Sequence, residues 1–181
     1  MIDVREFPLS ASDDAVDAFV SAFLDIWNAP ESLRYLSFSS EPFSESQVLE
    51  WVGQAQNGQA RYLVALGGDG SIRGIAALRD ETDAPFEILG LGVRREWQGS
   101  GVGRALILRS MELAVSSGRT HVECAVFEDN DRMLGLLASF GFAPVGTGEE
   151  RRVDGTGTVV LRARLIGAAA QQWHQPDSPA L

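Results

Sequence analysis

Gly99, Gly101 and Gly103 alternate within a five-residue stretch, between an apolar run that reads as a strand and a run that reads as a helix. Without side chains at these positions, backbone N–H groups can converge on one point. The helix N-terminus adds partial positive charge there, so the turn suits an anion such as a pyrophosphate. Taken alone, the glycines also fit a tight turn with no ligand. The spacing is G-x-G-x-G, not the G-x-G-x-x-G of a dinucleotide-binding fold. Such a fold would also open with this unit instead of reaching it in mid-chain.

The rest of the chain narrows the classes. Its 181 residues suit one domain, or one domain with a tail. All 15 basic residues are Arg. The absence of Lys excludes Schiff-base chemistry and a standard Walker A loop. One Cys and two His cannot supply a four-ligand structural zinc site or an internal disulfide, so no metal is expected. Gly-x-Ser-x-Gly and His-Glu-x-x-His are both absent. A net charge of −10 argues against a general grip on nucleic acid and leans faintly toward a cationic partner. No apolar run is long enough for a membrane span, and acids stand where a signal peptide needs apolar residues. The reading is a cytoplasmic protein without a membrane partner.

Hydrophobic spacing predicts the elements. A strand at 2–7 is closed by Pro8. A helix follows, capped by Ser10 or Ser12 and carrying Phe19, Val20, Phe23 and Trp27 on one face. Residues 30–43 are aromatic but aperiodic. A second helix starts near Ser44. Strands at 61–66 and 71–78 form a hairpin around Gly67-Gly68-Asp69-Gly70, and a third strand runs over 86–93. A helix over 101–117 shows no single apolar stripe. Then come a strand at 120–127, a helix at 130–140 and a last hairpin, 142–153 with 158–165, turned at Asp154-Gly155. Residues 166–181 read as a mobile tail on a domain spanning 1–165. Hairpins mixed with helical crossovers predict an α/β fold with a mixed sheet.

Two segments carry a resemblance. Gln98-Gly99-Ser100-Gly101-Val102-Gly103 resembles the Q/R-x-x-G-x-G/A motif of the GNAT superfamily, the acyl-CoA N-acyltransferases. Leu91-x-Val93 fits that family's lead-in, with Arg95 in place of the usual Pro. Asn130 through Phe142 resembles "N-x-x-A-x-x-L-Y-x-x-x-G-F". The resemblance implies a mixed, mostly antiparallel sheet with helices on both faces and a splay between the fourth and fifth strands. It implies acetyl-CoA in that splay. The backbone at Leu91, Gly92 and Val93 would hold the acetyl and pantetheine part. Gln98, Gly99, Ser100, Gly101, Val102, Gly103 and Arg104 would hold the pyrophosphate, and Asn130 would contact the pantetheine. Arg94, Arg95, Arg104 and Arg132 fit either phosphate partners or solvated surface charges.

The implied activity is acetyl transfer from acetyl-CoA to a primary amine of a small molecule, by direct attack. A peptide or protein amine and a non-catalytic CoA-binding module are the alternatives. A base must remove the ammonium proton. Glu87 is the candidate, six residues before Val93 on the strand lining the splay and set among Phe86, Ile88 and Leu89. It reads equally as a salt-bridged strand residue. The Tyr that serves many relatives as acid aligns with Leu137, which has no proton to give. Cys124 reads as a small buried hydrophobe, while His121 and Glu123 share one strand face. His174 lies in the tail. The resemblance implies an acceptor pocket walled by the region of Trp27, Tyr35, Phe38 and Phe43, residues that core packing explains equally well, with specificity in loops such as 30–43 and 79–85. The mixed face of the 101–117 helix permits a homodimer.

Overall fold

The computed structural model describes residues 2–8, 11–58, 60–81 and 84–165. The expected tail, His174 and Ser10 lie outside the described residues.

The chain begins with β1 (Asp3–Glu6) and α1 (Asp13–Trp27). Ser12 caps α1 by accepting the amide of Ala15, and Asp13 and Asp14 complement the helix dipole in its first turn. Phe19, Val20, Phe23, Ile26 and Trp27 recur on one face and are buried. A short helix follows, α2 (Pro30–Leu36), where no periodicity announced one. Its start had a local signal: Pro30 sits at the first turn, where the missing N–H costs nothing. Ser44 and Gln47 form a capping box on α3 (Glu45–Gln56).

Next come β2 (Arg61–Leu66), β3 (Ile72–Arg79) and β4 (Phe86–Val93), then a 3₁₀ turn at Arg95–Trp97 and α4 (Val102–Ser116). The chain continues through β5 (His121–Phe127), α5 (Asp131–Ala138), β6 (Ala143–Thr147) and β7 (Thr158–Arg164). The sheet order is β1-β2-β3-β4-β5-β7-β6, and among the described residues only β4 and β5 run parallel. The final hairpin is shorter than expected. β6 stops at Thr147, and residues 148–157 form a loop from which Arg152 turns inward.

Apolar side chains fill both faces of the sheet. On one face Phe86, Ile88 and Val122 meet Leu106 and Ile107 of α4. On the other, Tyr62, Val64 and Ile75 meet Phe19, Phe23 and Trp27 of α1. Gly92 permits the second contact, since a Cβ there would lie 2.4 Å from Ile26 Cγ2. Among the described residues no helix is long and apolar enough to cross a membrane.

Candidate active site

β4 and β5 pair over only three rows, Phe86–Val122, Glu87–Glu123 and Ile88–Cys124. Beyond Ile88 they diverge. A bulge opens the divergence: Leu78 faces Ile88 and Ala77 faces Gly90, which leaves Leu89 out of the ladder. The edge of β4 facing β5 thus carries backbone donors and acceptors with no strand beside them, a place for an extended ligand to pair. A cleft of about 670 Å³ fills this fork.

At the mouth of the cleft, the chain leaves β4 and enters α4 through the glycine turn. Gly101 is the N-cap residue in the left-handed region, φ 90°, and offers no side-chain cap. The first N–H groups of α4 have no intrahelical acceptor and carry the positive end of the helix dipole. Gly99, Gly101, Gly103 and Arg104 all line the cleft. Gly103 packs beside Leu136, Leu91 and Val93, which a Cβ there would meet at 3.6–3.9 Å. These features fit a diphosphate: bare amides, a helix N-terminus and guanidinium groups at one end of a slot.

Leu91, Gly92, Val93, Gln98 and Asn130 line the same cleft. Gln98 spans it. Its Nε2 donates to the carbonyl of Val93 at 3.2 Å, and its Oε1 accepts Arg132 Nη1 at 2.7 Å. Asn130 caps α5, accepting the Met133 amide at 3.2 Å. Ser100 and Val102 are absent from the lining. Ser100 Oγ turns back to the carbonyl of Trp97 at 2.6 Å, and Val102 packs into the core at 1% exposure.

The four arginines divide. Arg104 lies over the Phe140 ring and donates to Ser139 Oγ at 3.0 Å, and Arg132 reaches Gln98; both line the cleft. Arg94 is fastened by the Ile72 carbonyl at 2.8 Å and by Asp25 at 3.1 Å. The Arg95 side chain is 86% exposed and pairs with Glu31 at 3.9 Å. Neither Arg94 nor Arg95 is among the lining residues.

Glu87 has surroundings other than those its sequence neighbours suggest. Phe86 and Ile88 alternate to the α4 face. On its own face Glu87 stands in register between Arg79 and Glu123. Arg79 forms an ion pair with it, and Glu123 is held by Arg162 at 2.7 Å. The Glu87 side chain is not part of the cleft lining; Ile88, the next residue, is.

Cys124 and Leu137 line the inner end. Burial, reinforced by the charges of Glu87 and Glu123, pushes the Cys124 thiol up to about 12, so it stays neutral and is a weak acid. Leu137 is 2% exposed and packs as a hydrophobe. Among the described residues no group of three or more His, Cys, Asp or Glu could hold a metal ion.

In the sequence the 30–43 region, Tyr35 included, stands open between a pocket wall and core packing, and neither its helix nor Asp129 is foreseen there. α2 brings Glu31, Ser32, Tyr35 and Leu36 to the cleft wall, and Asp129 lines it from the β5–α5 turn. Asp129 is held by Arg152 at 2.8 Å and Arg34 at 2.6 Å, with the Arg152 hydrogen bond the leading cause of its lowered pKa. That makes it a poor proton acceptor near neutral pH.

Comparison with known proteins agrees with this geometry. The model of the acetyltransferase (GNAT) family matches residues 21–142. A mycothiol acetyltransferase of Beutenbergia cavernae is 32% identical over 120 residues, 63% of this chain and 40% of that protein. The chain spans less than half the length of the curated relatives it matches. Among solved structures, an N-acetyltransferase from Staphylococcus aureus superposes with a TM-score of 0.73 at 16% identity, covering 92% of this chain and 99% of that one. A Salmonella typhimurium protein determined with its cofactor acetyl-CoA superposes with a TM-score of 0.65 at 18% identity, covering 99% of both chains.

Proposed function

The chain belongs to the acetyltransferase (GNAT) family, and from that premise we propose that it transfers the acetyl group of acetyl-CoA to a primary amine of a small molecule. One observation carries the donor assignment. An uncapped helix N-terminus and a glycine turn face the fork where β4 loses its β5 partner. Acetyl-CoA has a diphosphate for the first feature and an amide-bearing arm for the second.

In this reading the backbone at Leu91 and Val93 orients the thioester arm. The amides from Gly99 to Arg104, with Arg104 and Arg132, neutralise the diphosphate. The acceptor nitrogen attacks the thioester carbonyl carbon; the C–N bond forms, the C–S bond breaks, and the electron pair leaves with the CoA sulfur. Backbone N–H groups of β4 stabilise the charge that develops on oxygen.

Proton removal falls to Glu87. It stands one row below the Ile88–Cys124 pair where the fork opens, outside the cleft lining. The proton therefore travels to it through water. Leu137 cannot return a proton to the sulfur, and the Cys124 thiol is too weak an acid to do so. Solvent supplies that proton.

Glu31, Ser32 and Tyr35 on the α2 wall, together with the net charge of −10, support a cationic small amine as acceptor. Leu137 favours a second reading, a module that binds CoA without transfer. The test is acetyl-CoA incubated with a broad amine panel, read by mass spectrometry of products and by release of free thiol. Acetylated amine supports transfer. Acetyl-CoA binding without product supports the module, and no binding at all removes both.

A further inference from the structure

α2 is seven residues long and buries none of its side chains. A helix this short does not hold itself in water. α2 rests against α1 and β4, with Leu36 packed near Gly90, and it has a polar attachment as well. Arg152 comes from the 148–157 loop, far along the chain, and its side chain is only 3% exposed. Its Nη1 donates to the carbonyl of Arg34 at 3.0 Å, in the last turn of α2, where carbonyls lack intrahelical partners. The same guanidinium donates to Asp129 at 2.8 Å, Asp154 at 2.7 Å and Thr156 Oγ1 at 2.9 Å, and it lies over the Phe127 ring. Asp129 in turn receives Arg34 Nη2 at 2.6 Å. Beside this knot, the Val153 amide donates to the carbonyl of Phe38 at 2.9 Å.

The knot joins three segments: α2, the β5–α5 turn and the 148–157 loop. Its charges cancel, two guanidinium groups against two carboxylates, so it offers no net field to an amine. What it controls is position, because α2 carries Glu31, Ser32 and Tyr35 into the cleft and Asp129 directly precedes Asn130. We propose that Arg152 is a positioning residue for the acceptor: through the Arg34 carbonyl and Asp129 it fixes the α2 wall against the donor cleft. The reference to an acceptor rests on the function proposed above; the fastening of α2 does not.

Hydrogen exchange and kinetics on the full chain separate the two. In Arg152→Gln the amides of residues 32–36 should exchange at least roughly tenfold faster, since the helix loses its C-terminal anchor. Acceptor KM should rise roughly tenfold, while acetyl-CoA affinity and kcat stay within about twofold. Unchanged exchange in α2, or a loss that falls on acetyl-CoA affinity instead of acceptor KM, overturns the proposal. If Arg152→Gln does not fold, Asp129→Asn gives the same exchange measurement with volume preserved, and unchanged protection there overturns it. The exchange readout needs no acceptor. Faster α2 exchange with no amine acetylated by the wild type would sink the proposed function and leave the fastening intact.

Discussion

Arg132 Nη1 lies 2.7 Å from Gln98 Oε1, which ties the start of α5 to the turn that follows β4. The guanidinium spends one donor on a neutral amide and keeps others for an anion in the slot. Replacing Arg132 with Ala should weaken acetyl-CoA binding roughly ten- to a hundredfold, the range of a lost charge-assisted hydrogen bond. Calorimetric titration checks this. An affinity equal to the wild type's would leave Arg132 a surface residue.

Gly101 is the second point of leverage. Its φ of 90° lies where a Cβ is strained. Gly101→Ala should cost about 1–2 kcal/mol, seen as a fall of a few degrees in Tm. It should also weaken acetyl-CoA binding, because the turn must relax its amides to relieve the strain.

Glu87→Gln tests the base. The variant keeps the volume and loses the proton acceptor, so kcat should drop about 10²–10⁴-fold. Turnover that matches the wild type at every pH would assign Glu87 to its ion pair with Arg79 alone.

Cys124 should be nearly inert. With the thiol pushed up to about 12 and 3% of the residue exposed, a thiol reagent at pH 8 should label it on the order of a thousandfold more slowly than free cysteine. Rapid labelling would mean that the inner cleft opens far more than its packing implies.

The Arg152 knot sets an acid limit. Hydrogen bonds from Arg152 are the leading cause that holds Asp129 and Asp154 below the usual carboxylate range. Their folded values lie below their unfolded ones. The stability they lend is therefore full above roughly pH 4 and is lost as pH falls through the lowered values. Between neutral pH and pH 5 the Tm of Arg152→Gln should stay a constant step below wild type. That step should shrink below roughly pH 4; a step that widens there would contradict the assignment.

Local chemistry explains what was legible in the residues alone. The glycine turn, α4 after it, the cap of α1 at Ser10 or Ser12 and the start of α3 near Ser44 each depend on neighbours a few positions away. The fork between β4 and β5 was expected only through the family resemblance. α2 escaped because seven aperiodic residues carry no hydrophobic stripe to read. Glu87 looked apolar in its surroundings because the line of text places Phe86 and Ile88 beside it; a strand sends those two to the opposite face and pairing sets Arg79 there.

By itself, then, the sequence determined the order of the elements other than α2 and the glycine turn at the head of α4, since periodicity, glycine and capping act within a few residues. Only the tertiary structure decided which charges meet and which side chains of α2 line the cleft. Arg152 and the Arg34 carbonyl are 118 positions apart, and nothing in either segment encodes the other until the sheet brings them together.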